Sequence, residues 1–196
     1  MLAAVILAAG ESRRMGTPKA LLPYRGATFL DYLVQVTRHP RVGELRVIVG
    51  PHAALIRGMS QVDPASFVLN EQWESGQISS IQAAIRSLPP DVTDGLILCL
   101  VDHPFISPDL VGTLIDRFYS SGKFIVLPTY KGRRGHPVIF SAALYDELLA
   151  APLELGARAV VWAHAGEVLE IPTEEDGVVL NLNDPETLRR ALASEQ

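Results

Sequence analysis

The chain alternates short apolar runs with longer segments in which apolar residues recur every three or four positions. The short runs are rich in Val, Ile and Leu and predict β-strands at 2–7, 45–50, 67–69, 96–101, 124–127 and 138–140. The periodic segments predict amphipathic helices at 28–38, 78–88 and 107–119, the last with Ser107 as N-cap and Pro108 in the first turn. This alternation indicates an α/β fold with a parallel sheet.

Length and composition are those of an ordinary globular protein. With 196 residues, 48% of them hydrophobic and 20% charged, the chain is long enough for one substantial core, so we expect a single domain over 1–196. We find no uncharged run long enough to span a membrane, and the apolar start lacks the basic region of a signal peptide. We therefore expect a cytoplasmic protein, in which Cys99 is a core side chain rather than a nucleophile.

The charge balance indicates a small partner. A net charge of -5 is unlike that of proteins that bind duplex nucleic acid, which present a basic face to the phosphates. The basic residues concentrate at 13–19 and 131–134, where a local positive field favours a triphosphate.

Residues 7–19, LAAGESRRMGTPK, directly follow the first predicted strand. Small residues let the backbone approach a ligand closely, and the basic side chains of Arg13, Arg14 and Lys19 suit a polyphosphate. Two well-known phosphate loops do not match this segment. A P-loop requires Gly followed directly by Lys and then Ser or Thr, whereas Gly16 is followed by Thr, Pro and Lys. A dinucleotide-binding loop requires the spacing GxGxxG, which the segment lacks.

The same segment resembles the nucleotidyltransferase signature LAAGxSxRMGxxK of the molybdenum cofactor cytidylyltransferases and the related guanylyltransferases. The resemblance implies a three-layer, mostly parallel Rossmann-like sheet and transfer of CMP from CTP to the phosphate of molybdopterin, with release of pyrophosphate. It implies that Lys19 and Arg14 stabilise the phosphates. The nucleotide-binding residues expected are Leu7, Ala8, Ala9, Gly10, Ser12, Arg13, Gly16, Gly76, Ser79 and Ser80, the last three from a segment that resembles the family's base-recognition region.

Two residues are candidate ligands for Mg²⁺. Asp102 follows a buried strand, where a carboxylate can hold the ion against a triphosphate, and the sequence DHP at 102–104 resembles the family's metal-binding stretch. Asn181 stands where the cytidylyltransferases tend to carry an aspartate, so its amide would bring an oxygen ligand without charge. Without the resemblance, a turn or helix cap explains a lone strand-end Asp as well.

The acceptor is expected to contact His103, Gly135 and His136. The run GHP at 135–137 resembles a family segment near the acceptor, whereas a histidine in a turn before a strand is the simpler alternative. We do not expect His103 to act as a general base, because an ionised phosphate needs no deprotonation. The segment 153–158, LELGAR, matches the family's GDxGAR only in its second half.

The nucleotide and the activity leave alternatives open. Ala9 and the segment WESGQISS favour CTP, whereas Asn181 favours GTP and a guanylyltransferase. A sugar phosphate or another small phosphorylated compound is an alternative acceptor. Loss of an acidic metal ligand would also fit a non-catalytic cofactor carrier, and a dinucleotide-binding oxidoreductase is a third, less favoured class.

Overall fold

The computed structural model describes residues 1–12, 15–182 and 185–194, and within them strands and helices alternate as predicted. The six predicted strands and three predicted helices are all present, with ends shifted by a few residues. The strands are β1 (Leu2–Ala8), β2 (Pro23–Tyr24), β3 (Ala27–Thr28), β4 (Val42–Val49), β5 (Phe67–Leu69), β6 (Gly95–Leu100), β7 (Ile125–Tyr130), β8 (Arg133–Arg134), β9 (Val138–Ser141) and β10 (Val168–Pro172). The helices are α1 (Phe29–Val36), α2 (Ala53–Met59), α3 (Gln77–Ser87), α4 (Pro108–Ser121), α5 (Tyr145–Ala150), α6 (Ala157–Ala163) and α7 (Pro185–Ser194).

The main sheet is mostly parallel. Its strand order is β10, β7, β9, β6, β1, β4, β5, with β8 added beside β7, while β2 and β3 form a separate pair. Strand β1 runs parallel to β4 and β6, whereas β9 runs antiparallel to both β6 and β7. The apolar run at 138–140 predicted the strand but not its direction, because a buried strand looks the same in either direction.

Helices cover both faces of the sheet, which gives the expected three layers. Successive side chains of β1 point to opposite faces. On one face Ile6 belongs to a buried cluster with Phe29 of α1 and Leu114 of α4. On the other face Val5 belongs to a cluster with Ile81 of α3. A strand buried on both faces reads as a continuous apolar run, which explains the sequence of β1.

Helix α4 begins at the predicted cap. The Ser107 hydroxyl oxygen accepts a hydrogen bond from the backbone N–H of Leu110 at 3.1 Å, which satisfies one of the unpaired donors of the first turn. Glu175 in turn accepts from both the hydroxyl and the backbone N–H of Ser107, at 2.6 and 2.8 Å. The loop after β10 is therefore tied to the start of α4.

Cys99 lies in the interior of β6, as expected. It is fully buried, and burial raises the pKa of its thiol to about 12. The neutral thiol is a poor nucleophile, so Cys99 acts as a small apolar core residue. None of the helices in the described parts of the chain combines the length and apolar character needed to cross a bilayer.

Candidate active site

A cleft of about 560 Å³ opens where β1 and β6 end. The two strands are neighbours and pair Leu7 with Leu100, so the loops that follow them meet at one edge of the sheet. Ligands of open parallel sheets bind at this edge. We call this the first cleft, and it is lined by Leu7, Ala8, Ala9, Gly10, Glu11, Ser12, Met15, Pro18, Lys19, Ala20, Trp73, Gly76, Gln77, Ser80, Leu100, Val101, Asp102 and Asn181.

An ion pair forms part of the wall of the first cleft. The ammonium of Lys19 donates a hydrogen bond to Oδ2 of Asp102 at 3.0 Å, with side chains that are 13% and 22% exposed. Ser12 holds the loop, because its hydroxyl oxygen accepts from the backbone N–H of Lys19 at 3.1 Å. Partial burial weakens screening by water, which strengthens the attraction between the two charges. Lys19 and Asp102, both predicted as site residues, thus lie together although 83 positions separate them.

The rest of the predicted phosphate loop is partly placed in the cleft. Leu7, Ala8, Ala9, Gly10 and Ser12 line it. Gly16 lies in a turn with φ of 67° and is not among the lining residues that the structure describes. The predicted contacts of Arg13 and Arg14 lie outside the described residues.

The segment before α3 forms the opposite wall. Gly76, at φ 89°, allows the chain to turn into the helix, and both it and Ser80 line the cleft. Ser79 does not line it in the described structure. The Asn70 side-chain amide donates to the hydroxyls of Ser79 and Ser80 at 2.9 and 3.0 Å. The Ser79 hydroxyl in turn lies within hydrogen-bond distance of the carbonyls of Gln72 and Gly76, so it stabilises the turn.

Several lining residues had no separate role in the sequence analysis. Trp73 lies three residues before Gly76 and Gln77 directly after it, and Met15 and Pro18 belong to the signature loop. The signal for Trp73 was its place in the segment that resembles the family's base-recognition region. The sequence did not indicate that Gln77 lines the cleft, because its position there depends on the direction in which α3 begins.

Asn181 also reaches the first cleft, next to Asp102. The backbone N–H of the following Leu182 donates to the carbonyl of Asp102 at 3.2 Å, which joins the two chain segments. Carboxylate and amide oxygens are suitable ligands for Mg²⁺. In the described part of the chain, no group of three or more His, Cys, Asp or Glu residues could hold a metal ion. A cation held by Asp102 and Asn181 would therefore take its remaining oxygen ligands from a bound substrate or from water.

A second cleft of about 450 Å³ adjoins the first, since Gln77 lines both. The predicted acceptor residues Gly135 and His136 lie in its wall. Most of its other side chains are apolar. The remaining lining residues are Ile78, Ile81, Leu98, Leu127, Arg134, Val138, Phe140, Leu153, Glu154, Leu155, Gly156, Ala157, Arg158, Val161 and Trp162.

The rings of His103, which is buried, and His136, which is partly buried, lie side by side. Their ring centroids are 5.3 Å apart, and Nδ1 of each ring is buried with no hydrogen-bond partner among the described residues. Burial lowers the pKa of His103, and burial followed by the proximity of His103 lowers the pKa of His136 to about 4. The rings are therefore neutral at pH 7. Of the two, His136 lines the second cleft, whereas His103 is not among the described lining residues.

We expect His136 to make the protein less stable in weak acid. Its pKa is about 4 when folded and about 6.5 when unfolded, so between these values the unfolded chain binds a proton that the native state does not. The free energy of unfolding should fall as the pH decreases through this window, by about 2 kcal/mol between pH 6.5 and 5. Urea unfolding of the wild type and of His136→Gln measures it. Equal pH dependence in both proteins would contradict the assignment.

Comparisons with known proteins identify the family of this chain. A family model described as MobA-like NTP transferase domain matches residues 4–168. A molybdenum cofactor guanylyltransferase of Cereibacter sphaeroides is 29% identical over 95% of this chain and 93% of its own length. Nicotine blue oxidoreductase of Paenarthrobacter nicotinovorans is 32% identical over 71% of each chain.

Solved structures show the same fold over nearly the whole chain. The Rv0371c protein of Mycobacterium tuberculosis H37Rv is 29% identical, with a TM-score of 0.85, over 98% of this chain and 97% of its own. A manganese complex of that protein is 28% identical, with a TM-score of 0.76, over 98% of each chain.

Proposed function

The chain belongs to the MobA-like NTP transferase family and is a nucleotidyltransferase, and from this premise we propose that it transfers CMP from CTP to the phosphate of molybdopterin. The observation that carries the proposal is the Lys19–Asp102 ion pair in the wall of the first cleft. An ammonium held there can stabilise the phosphates of a nucleotide, while the small residues of the loop leave room for it.

The reaction balances without an added acid or base. An oxygen of the acceptor phosphate attacks the α-phosphorus of CTP and forms a new P–O bond. The bond between the α-phosphorus and the oxygen that bridges to the β-phosphate breaks, and pyrophosphate leaves with the electron pair. In such transfers the protein contributes mainly positioning and charge stabilisation.

The described residues supply these contributions. Lys19 stabilises negative charge on the phosphates, and Asp102 holds the Lys19 ammonium in place at 3.0 Å. Preorganised contacts of this kind commonly contribute about 3 to 4 kcal/mol each to the transition state. We place the base between the loop at Ala8, Ala9 and Gly10 and the opposite wall at Gly76 and Ser80. Arg13 and Arg14 keep the phosphate-binding roles proposed from the sequence.

Mg²⁺ is the proposed cofactor. Asp102 and Asn181 would hold it together with oxygens of the nucleotide phosphates, and their oxygen donors fit the preferences of this ion. When bound, it supplies additional positive charge against the triphosphate. The manganese complex of the similar M. tuberculosis protein supports a divalent cation.

The choice between CTP and GTP rests on few residues. Ala9 supports CTP, because the cytidylyltransferases carry LAAG at this position of the loop. Asn181 and the guanylyltransferase of C. sphaeroides support GTP, which is the alternative donor. Both donors imply the same cleft and the same chemistry.

Tryptophan fluorescence separates the two donors. The chain has two tryptophans, Trp73 in the first cleft and Trp162 in the second. In Trp162→Phe, titration with CTP and Mg²⁺ should change the emission of Trp73, with weaker binding of GTP. In the matched Trp73→Phe variant the emission of Trp162 should not change. Tighter binding of GTP would move the assignment to the guanylyl donor.

Pyrophosphate release tests catalysis itself. Molybdopterin added to protein, CTP and Mg²⁺ should release one pyrophosphate for each nucleotide transferred. Binding of nucleotide without pyrophosphate release would contradict transfer and support the non-catalytic carrier instead.

An oxidoreductase is a second candidate function, favoured by the similarity to nicotine blue oxidoreductase. Such an activity would need a redox co-reactant such as NADH or NADPH. The same fluorescence titration distinguishes it, since tight binding of either dinucleotide together with failure of CTP and GTP to bind would support this candidate.

A further inference from the structure

The segment that follows β10 leads into the first cleft. We call residues 175–182 the strap; it contains one turn of 3-10 helix at Asp176–Val179. Val178 and Leu182 of the strap are fully buried, whereas Asn181 is exposed and lines the first cleft. Because little protein surrounds the Asn181 side chain, its position in the cleft depends on how the backbone of the strap is held.

The backbone of the strap is bonded to the chain on both sides. The carbonyl of Val178 accepts from the backbone N–H of His136 at 2.8 Å, and the N–H of Leu182 donates to the carbonyl of Asp102 at 3.2 Å. His136 lines the second cleft and Asp102 the first. A shift of the strap would therefore break a contact to a wall of each cleft.

Glu175 anchors the start of the strap. Its two carboxylate oxygens accept from the hydroxyl and the backbone N–H of Ser107 at 2.6 and 2.8 Å, and both residues are partly buried. Two hydrogen bonds from one partner to a carboxylate fix its orientation as well as its distance. Two residues further on, a Cβ on Gly177 would lie 1.7 Å from the carbonyl oxygen of Phe105. The anchored strap thus packs closely against the chain just before α4.

We propose that Glu175 is a positioning residue, which fixes the strap to Ser107 and so holds the Asn181 amide beside Asp102, where the two side chains can bind a divalent cation together. Glu175 is not among the described residues that line the first cleft, so it acts through the strap. Residues that orient a metal ligand commonly change metal affinity by about 10- to 100-fold when they are replaced. The inference rests on the proposed function for the role of Asn181, but the anchoring of the strap is independent of it.

Binding of CTP and of GTP in Mn²⁺ and in EDTA measures what the metal contributes. For the nucleotide that binds, the ratio of the dissociation constant in EDTA to that in Mn²⁺ should fall about tenfold in Glu175→Ala, with the constant in EDTA unchanged. Glu175→Gln should keep most of the ratio, because its amide oxygen can accept from the Ser107 N–H and its amino group can donate to the hydroxyl oxygen.

Glu147→Ala is the matched control for these variants. Glu147 also accepts from a side chain, at 2.8 Å from Nε2 of His164, but it is not among the described residues that line either cleft. Its loss should leave both dissociation constants at the wild-type values.

Amide hydrogen exchange tests the anchoring of the strap without any ligand. The N–H groups of Leu182 and His136 should exchange about tenfold faster in Glu175→Ala, because their bonds join the strap to the cleft walls. The amide of Ile6 in the central strand β1 should keep its wild-type protection, which separates local release of the strap from a loss of overall stability.

Three results would overturn the proposal. They are unchanged exchange at Leu182 and His136, an unchanged binding ratio in Glu175→Ala when Asn181→Ala lowers it, or an equal loss of affinity in Mn²⁺ and in EDTA, which would show that Glu175 only maintains the fold. An unchanged ratio in Asn181→Ala would instead refute the proposed metal site, and the positioning of a metal ligand with it. Faster exchange in Glu175→Ala would then identify the anchor as purely structural.

Discussion

Lys19→Ala is expected to lower the rate of nucleotidyl transfer by about 10²- to 10³-fold. The Lys19 ammonium lies 3.0 Å from Asp102 in the wall of the first cleft, where little water screens its charge. Removing one preorganised charge contact of this kind costs about 3 to 4 kcal/mol in the transition state. Steady-state assays of pyrophosphate release, with the donor nucleotide saturating, measure the effect as a fall in kcat.

Lys123→Ala is the matched control for this variant. Lys123 pairs with Glu167 at 3.4 Å and lines neither cleft, so its loss should leave turnover near the wild-type value. Thermal unfolding of both variants separates a catalytic effect from a structural one, because Lys19→Ala leaves the Asp102 carboxylate without this ion pair. An unchanged kcat in Lys19→Ala would refute the role of the ion pair in transfer.

Gly177→Ala is expected to destabilise the protein by about 3 kcal/mol or more. A Cβ on Gly177 would lie 1.7 Å from the carbonyl oxygen of Phe105 and 2.6 Å from its carbonyl carbon. Both atoms belong to the backbone, so no side chain can rotate away and a chain segment must move. Denaturation in urea or guanidinium measures the loss.

Gly112→Ala provides the opposite expectation for the same chemical change. Gly112 lies inside α4, and a Cβ there meets nothing within 4 Å. Alanine loses less conformational freedom than glycine on folding, so this variant should gain about 0.5 to 1 kcal/mol. Equal stability of the two variants would contradict this expectation, because it would show that the backbone around Gly177 can move without a loss of unfolding free energy.

The sequence predicted most of the features that depend on residues close together along the chain. The apolar runs and the helical spacing identified the central strands and α1, α3 and α4, because burial on the two faces of a sheet imposes those patterns. Ser107 predicted the start of α4, since N-cap chemistry is local. Its second partner, Glu175, lies 68 residues away, and no pattern along the chain could indicate that contact.

The part of the candidate site that lies at the ends of strands could be predicted from the sequence. Lys19 and Asp102 each follow a strand, and parallel neighbours bring such residues to one edge. The partners of Ser79 and the lining role of Gln77 were not predictable, because both depend on how α3 meets the sheet. The second cleft combines side chains from β6, β7, β9 and α6 with residues of α3, and only the tertiary fold brings these together.

The antiparallel direction of β9 allows the lining of the second cleft to vary in sequence independently of the first. Its first residue, Val138, pairs with Leu98 near the end of β6, so the chain enters β9 at the edge where its antiparallel neighbours β6 and β7 end. A parallel strand in this slot would carry Gly135 and His136 to the far side of the molecule. If Gly135 and His136 contact the acceptor as proposed, a change in the length or sequence of the short connection before β9 would alter the acceptor site, while the loops after β1 and β6 would keep their register.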